Sequence, residues 1–476
     1  MLSLFTKMMK SILSHIHLFQ ISFLALLSFT ILLHTTLSYT TLLSTHLPLS
    51  ISFAFSLFLA LLHRHLNRPY PVFLLNYYCY KPPPHQKLPF EVAENFVLKN
   101  SANFPTKSID FMRNIYLKSG LGNETYAPPF IFRDDKNPTL KCAFQESHES
   151  IFTSIEDLLS KTLIDPLRID TLIVTSGCFS PSPSLTSHIV NKFNLKHDIK
   201  TFNLSGMGCS SGVLSIDLAS QILRGSRKIQ YALVVITESI TLNWYSGDSR
   251  SMLVTNCIFR VGCAAAIITN DPSCRRVAKM ELVHSLRTHH GADDMSYQAA
   301  FQEEDEKGNP GISLTKDLVR VAGVNLRQHI KILAPRVLPL SQLVRYVVAV
   351  VTAKLSRGQS KPAVPDFSTA FKHMCIHTGG KAVIEQVGRV LRLHDSVTEP
   401  ARMSLHRFGN TSSSLVFYEF AYFEAKMRMK KNDRMWMIAF GTGFKVGSLV
   451  WKCLGDSKEE IDNPWNDCIL EYPSKV

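Results

Sequence analysis

The sequence predicts an α/β protein, strands and helices in alternating layers, carried on two N-terminal transmembrane helices. Two features carry that expectation. From Ser11 to His63 there is no Asp, Glu, Lys or Arg. Further on, short apolar runs of strand length alternate with segments of helical character, the signature of α/β layers. A chain of 476 residues with 45% hydrophobic content can bury a large core in two or three domains, and 19% charged residues is sparse enough to fit some lipid contact.

The charge-free stretch holds two apolar segments, Ile16–Leu33 and Leu47–Leu62, separated by a Ser/Thr-rich connector with His46 and Pro48. About 18 residues at 1.5 Å each just cross a hydrocarbon core of about 30 Å. A cleaved signal peptide is the competing reading of the first segment. A second apolar run with no cleavage-like site between them argues against it. Apolar residues run all round both segments, which also speaks against half-buried core helices. Lys7 and Lys10 precede the first segment, and Arg64 and Arg68 follow the second. Positive flanks stay cytoplasmic, so both ends and the large domain are expected in the cytosol. Residues 1–66 thus form an anchor, and the Pro-rich stretch at Arg68–Pro71 and Lys81–Pro84 joins it to the body.

Within the body, Leu172–Val174 reads as a buried strand, followed by Pro-Ser turns and a helix over Leu185–Phe193. Lys200–Leu204 reads as a strand, Ser211–Leu223 as a helix, and Tyr231–Thr237 and Cys263–Thr269 as apolar strands. After Pro365 the pattern resumes: a strand at Met374–His377, a helix over Val383–Leu393, and a helix from Ser412 to about Met429. Strands at Trp436–Phe440 and Phe444–Trp451 close it. Leu338–Leu355 is apolar but interrupted by Arg345 and Lys354, which predicts an amphipathic helix on the membrane or over an acyl tunnel.

The balance of 52 basic against 38 acidic residues gives a net charge of +14. Such a surplus favours anionic partners, either phospholipid headgroups or phosphate-bearing substrates. It is spread along the chain, apart from a cluster at Lys426–Lys431, without a nucleic-acid motif, so nucleic acid is not expected. The ten cysteines form no CxxC pair and no regular spacing, which points to reduced thiols rather than a zinc ribbon or disulfide framework.

Three clusters carry chemistry. Gly206-Met207-Gly208-Cys209-Ser210-Ser211-Gly212 lies between an expected strand and helix. Glycines flanking a cysteine permit a sharp turn, and a helix N-terminus lowers a thiol pKa. Cys209 reads equally as a nucleophile and as an ordinary buried cysteine. The second cluster is His373-Met374-Cys375-Ile376-His377-Thr378-Gly379-Gly380. On a strand its two histidines share a face about 13 Å apart, with no carboxylate beside them. No metal is expected there, and a histidine before a Gly-Gly turn is placed to point into a site. The third is His406-Arg407-Phe408-Gly409-Asn410-Thr411-Ser412-Ser413-Ser414, where Asn410 is also a natural helix N-cap.

Cys209, His377 and Asn410, in that order, resemble the site of the plant 3-ketoacyl-CoA synthases, which share a fold with thiolases and type III polyketide synthases. The resemblance runs over nearly the whole chain. It includes the paired N-terminal segments, Gly120–Tyr126, Phe179–Leu185, Ile240–Tyr245, Arg287–His289 and Asn463–Ile469. Two positions depart from the family pattern: His290, where Lys or Thr is usual, and Val446-Gly447, where Cys-Asn is usual.

The resemblance implies a thiolase-like layered fold of two similar halves, residues 67–360 carrying the cysteine and 361–476 carrying the histidine and asparagine. It implies a catalytic triad of Cys209, His377 and Asn410, with His289, His373 and His406 in support. An oxyanion loop would contain Gly441 and Gly443. The implied reaction is a decarboxylative Claisen condensation of a long-chain acyl-CoA with malonyl-CoA. It needs no cofactor beyond the CoA thioesters themselves. The implied setting is the endoplasmic reticulum membrane, as a homodimer beside other elongase enzymes. An inactive scaffold and a polyketide synthase are the other readings. The intact triad argues against the first and the anchor against the second.

Overall fold

The computed structural model describes residues 53–58, 70–99, 104–133, 137–355, 365–377 and 379–474. Apart from 53–58, the two apolar N-terminal segments lie outside them. Among the described residues no helix is long and apolar enough to cross a membrane. Strand β1 (Phe73–Cys79) opens the body and is followed by helices α1 (Phe90–Lys99), α2 (Thr106–Lys118) and α3 (Leu140–Thr162). Next come β2 (Ile169–Thr175), α4 (Leu185–Phe193), β3 (Lys200–Leu204), α5 (Ser211–Gly225), β4 (Tyr231–Thr237), α6 (Arg250–Ile258) and β5 (Cys263–Thr269). Strand β6 (Met280–His289) leads through α7 (Asp294–Gln298) and the hairpin β7 (Ala300–Glu304) and β8 (Pro310–Leu314) to helices α8 (Leu318–Val337) and α9 (Leu340–Leu355). The last section holds β9 (His373–Ile376), α10 (Lys381–Leu391), α11 (Asp395–Phe408), α12 (Leu415–Ala425), β10 (Arg434–Gly441) and β11 (Lys445–Cys453).

Nine strands form one sheet in the order β3-β2-β4-β5-β1-β6-β11-β10-β9. It has an internal repeat. In the first half β2 is parallel to β4, β4 antiparallel to β5, and β5 antiparallel to β1. In the second, β9 is parallel to β10, β10 antiparallel to β11, and β11 antiparallel to β6. The halves meet where Phe73 and Leu74 of β1 pair with Glu281 and Met280 of β6. Helices α5 and α12 occupy equivalent places, each leading into the strand at the centre of its half. The halves are therefore continuous through one sheet rather than built on two separate ones, and β6 belongs to the second half-sheet.

Side-chain alternation sorts the layers. On β4, Ala232, Val234 and Ile236 face the layer holding α5 and α12, while Leu233 and Val235 face α3 and α4. On β10, Met435, Met437 and Ala439 face that same central layer, and Trp436, Ile438 and Phe440 face α8, α10 and α11. The result is helices, half-sheet, central helix pair, half-sheet, helices. Helix α12 is buried from Leu415 through Glu424, which is why it is apolar all round. Its Phe420 stacks on Tyr77 of β1 at 4.6 Å. Truncating such a ring typically costs about 3–5 kcal/mol.

The sequence reading holds for the strands at 172–174, 200–204, 231–237 and 263–269 and for the helix at 185–193. The expected helix from Ser412 begins as a 3-10 turn, Ser412–Ser414, and ends at Ala425. Residues Leu340, Val344, Val348 and Val351 of α9 are exposed along one stripe. Among its described side chains none lines the reaction cavity.

Candidate active site

Cys209 sits where β3 turns sharply into α5. Gly206 and Gly208 take φ of +65° and +53°, a region costly for any residue with a Cβ. At Gly208 there is also no room, since a Cβ would lie 2.9 Å from the Thr442 backbone nitrogen. A 3-10 turn over Gly208–Ser210 then feeds Ser211, the first residue of α5. The second half repeats this device. Ser412, at φ +57°, opens the 3-10 turn that feeds α12. The two helix starts touch, for a Cβ on Gly212 would lie 2.4 Å from the Ser413 carbonyl oxygen.

That contact brings the second half onto the cysteine. Ser412 Oγ donates to Cys209 Sγ at 3.5 Å. Asn410 is pinned by its backbone, donating to Ile258 O at 3.1 Å and accepting from Arg260 N at 2.9 Å. Its Oδ1 accepts from Ser412 N at 2.9 Å, and Nδ2 lies 3.5 Å from Gly379 O. The carbonyl end of the amide is thus committed to the turn, which leaves the NH₂ end toward the cavity. Asn410 is not the expected helix N-cap: Thr411 and Ser414 hold the N-cap positions of the 3-10 turn and of α12, and the Asn410 amide instead closes a local turn onto Ser412 N. His377 follows β9 and is held by its own N–H on Ile438 O at 2.9 Å. Its imidazole is 2% exposed, and among the described residues neither ring nitrogen has a hydrogen-bond partner. Two bare polar atoms in a buried site call for a ligand.

Cys209, His377 and Asn410 line one cavity of about 1000 Å³ of atom-free space, its open mouth included. Its other walls are mostly apolar, from Ile240, Ile258, Phe259, Leu318, Val383 and Phe444. Burial dominates the electrostatics. It pushes the Cys209 thiol up to about 11, opposed by the Ser412 hydroxyl and reinforced by the charge of Glu238. The expected lowering of this thiol by the helix terminus is therefore not found, because desolvation of the thiolate outweighs it. Burial pulls His377 down to about 3, so the imidazole is neutral. The resting pair is a neutral thiol and a neutral ring, not an ion pair.

Gly441 packs directly on the Cys209 turn, since a Cβ there would lie 2.1 Å from Met207 O, and Thr442 Oγ1 donates to Gly206 O at 3.2 Å. Gly441 and Thr442 line the cavity, and Gly443 lies just beyond it, near His289 and Lys445. The three histidines expected in support do not line the cavity. His373 is at the other end of β9, bonded to Asp433 at 2.9 Å and edge-on to Phe423. His406 bonds the Tyr472 hydroxyl at 2.9 Å. His289 accepts from Gly291 N at 3.1 Å. Among the described residues, no three His, Cys, Asp or Glu side chains converge as metal ligands.

Ser412, Glu238 and Glu146 escaped the sequence reading. Ser412 was visible only as one of a serine run. Glu238 follows the all-apolar β4, where a single carboxylate is the signal. Burial pushes it up to about 7, although its carboxylate accepts from Ser176 Oγ, Gly177 N and Cys178 N. Cys178 faces the cavity beside it. Glu146 anchors the adjoining wall by accepting from Ser239, Ile240 and Thr241.

Residues 64–355 match the family described as FAE1/Type III polyketide synthase-like protein, and residues 368–453 match the 3-Oxoacyl-[acyl-carrier-protein (ACP)] synthase III C terminal family. Among curated proteins, 3-ketoacyl-CoA synthase 9 of Arabidopsis thaliana is 45% identical over 411 residues, 86% of this chain and 80% of its own length. 3-ketoacyl-CoA synthase 17 of the same plant is 45% identical over 415 residues, 86% of this chain and 84% of its own. Two solved structures share the fold. A type III pentaketide synthase from Neurospora crassa has a TM-score of 0.60 at 15% identity, covering 80% of this chain and 99% of its own. The type III polyketide synthase domain of Steely1 from Dictyostelium has a TM-score of 0.62 at 17% identity, covering 81% and 99%. On the identity and coverage of its curated relatives, the chain belongs to the 3-ketoacyl-CoA synthase family.

Proposed function

We propose that this protein condenses a long-chain acyl-CoA with malonyl-CoA, by decarboxylative Claisen chemistry, in very-long-chain fatty acid elongation. The observation that carries the reading is a single apolar cavity lined by Cys209, His377 and Asn410, in a chain 45% identical to named 3-ketoacyl-CoA synthases. Cys209 attacks the acyl thioester. A thioester bond to Sγ forms, the bond to CoA breaks, and the thiol proton leaves with CoA. The thiol is neutral at rest, so this step needs a proton acceptor, and the bare nitrogen of neutral His377 is suited to it.

Malonyl-CoA then loses CO₂, and charge builds on its thioester oxygen. The Asn410 NH₂ and the N–H of His377 are donors for that oxygen. A ring that protonates only near pH 3 donates a hydrogen bond without quenching the carbanion. The carbanion attacks the acyl carbonyl, the Cys209 thiolate leaves and takes up a proton, and a 3-ketoacyl-CoA two carbons longer is released. Backbone N–H groups of Cys209 and of the loop holding Gly441 and Gly443 are the donors proposed for the second oxyanion. No metal or redox group enters this scheme.

The charge-free N-terminal stretch and its positive flanks support anchoring in a membrane, proposed to be that of the endoplasmic reticulum, with the body in the cytosol; a homodimer beside other elongase enzymes is proposed from the family resemblance alone. The test is to incubate membranes carrying the chain with labelled malonyl-CoA and a series of acyl-CoAs. Labelled 3-ketoacyl products two carbons longer than the starter are expected. Absence of elongation from every starter would overturn the reading.

A further inference from the structure

A second chamber adjoins the reaction cavity. It lies under α1 and α2 and encloses about 570 Å³ of atom-free space, open mouth included. Its lining is apolar and aromatic, with Phe96, Val97, Met112 and Trp244 among the walls. Trp244 meets Phe96 edge-on at 5.2 Å and Phe130 at 5.9 Å. On the inner wall Arg260 donates to Thr125 Oγ1 and to the carbonyls of Cys257 and Phe259, and lays its guanidinium over the Tyr116 ring. At the rim, Arg113 and Glu94 pair at 2.6 Å, both partly exposed.

The two spaces share a wall. Asn256 lines both. On either side of it the chain alternates between the two: Asn243 faces the cavity and Trp244 the chamber, and Cys257 faces the chamber and Ile258 the cavity. The Asn256 amide does not reach for a ligand. Both its ends are bonded to the Tyr245 backbone, accepting from N at 3.0 Å and donating to O at 2.8 Å. It is a fixed part of the shared wall rather than a recognition group.

From this contiguity we infer that the chamber under α1 and α2 is a distal subsite for the acyl chain, taking the methyl end of substrates too long for the reaction cavity. The inference rests on the elongation reading above and adds to it where chain length is measured. The occupant is an alkyl chain, because apart from Arg260 Nη2, which is buried without a hydrogen-bond partner among the described residues, and the Glu94–Arg113 pair, the walls offer mainly dispersion contacts and hydrophobic burial. The Glu94–Arg113 pair marks the solvent end, and so the far limit of the chain. Each methylene buried there is worth about a fourfold preference.

The chamber can be filled from α1 without touching the catalytic groups. Ala93 and Val97 are one turn apart on that helix and both line it. Glu91 is exposed on the same helix and does not line it. The full-length protein in membranes, with substitutions Ala93→Trp, Val97→Trp and Glu91→Trp, is assayed with palmitoyl-CoA and longer saturated acyl-CoAs in two-carbon steps. The readout is the ratio of long-chain to short-chain elongation within one preparation, which cancels the amount of folded enzyme. Both chamber variants are expected to lower the ratio by about 15-fold for each two-carbon step displaced, while Glu91→Trp leaves it unchanged. An unchanged ratio in Ala93→Trp and Val97→Trp, or an equal change in Glu91→Trp, overturns the subsite. Loss of elongation from every starter by the unsubstituted chain would instead overturn the elongation reading.

Discussion

Asn410 joins two functions in one amide, and substitution can separate them. Its Oδ1 holds Ser412 N at 2.9 Å, and Ser412 in turn donates to Cys209 Sγ, so this turn supports the nucleophile's surroundings. Its NH₂ end is the proposed enolate donor. Asn410→Ser keeps an oxygen that can accept from the turn but removes the NH₂; Asn410→Ala removes both. Loss of one preorganised donor to a developing oxyanion costs about 10²–10³ in rate, or about 3–4 kcal/mol. Loss of that buried hydrogen bond costs about 1 kcal/mol of stability. Both variants should therefore release CO₂ from malonyl-CoA about 10²–10³ more slowly, and only Asn410→Ala should also lose stability by about the value of one hydrogen bond. Acyl transfer to Cys209 should persist in Asn410→Ser. The assay is CO₂ release from labelled malonyl-CoA beside trapping of labelled acyl-enzyme, with thermal melts on the same preparations. Near-normal CO₂ release by a folded Asn410→Ser would reduce the residue to a support for the turn and refute the assignment.

Other outcomes follow from the same geometry. Alkylation of Cys209 by iodoacetamide should climb with pH toward a midpoint of about 11, and Ser412→Ala should move that midpoint higher; a plateau near pH 8 would show the thiol is not desolvated as described. His377 is held at about 3 against 6.5 for a free ring, so the unfolded chain takes up a proton that the folded one refuses. Its share of stability is present above about pH 6.5 and lost as pH falls toward 3; in the variant His377→Gln, denaturant melts across that range should show a weaker loss than the native protein. Gly208→Ala places a Cβ 2.9 Å from Thr442 N at a φ of +53° and should abolish acyl-enzyme formation, whereas a native rate would mean the turn tolerates movement. Of the three N-x-[ST] asparagines, Asn123 and Asn203 are exposed and Asn410 is buried, so only the first two report topology. A cytosolic body leaves both unmodified, and an endoglycosidase-sensitive mobility shift would reverse the orientation.

The sequence made some elements plain and hid others for physical reasons. Strands β4 and β5 are buried on both faces, so Tyr231–Thr237 and Cys263–Thr269 stand out as unbroken apolar runs. Strand β6 was missed because polar Glu281, His284, Arg287 and Thr288 break the run over its half-exposed length. Helix α3 was missed because Glu146, Ser147, Ser150 and Ser154 share the buried face with Ala143, Ile151, Ile155 and Leu158 and break up its apolar stripe. In α11, Pro400 inside the helix disguised the whole element.

The site divides the same way. Cys209, His377 and Asn410 stand at element boundaries marked by glycines, and the fold brings all three to one cavity. His373 shares a strand face with His377, but strand rise places it about 13 Å away beside Asp433, a separation that spacing alone does not turn into a role. Glu238 and Ser412 depend on contacts between residues 61 or more positions apart, Glu238 with Gly177 and Ser412 with Cys209, and local pattern cannot show those. The direction of the thiol shift also needed the structure, since a helix terminus and a buried pocket pull it opposite ways.

The central claim is that Cys209 carries the growing chain. The direct measurement is peptide mass spectrometry after incubating the membrane-embedded protein with a long-chain acyl-CoA and no malonyl-CoA. The account predicts an acyl adduct on the peptide containing Cys209, lost on adding malonyl-CoA and absent from Cys209→Ala. Elongation that proceeds with no adduct at Cys209, or with the adduct on Cys178 or Cys375 instead, would contradict it.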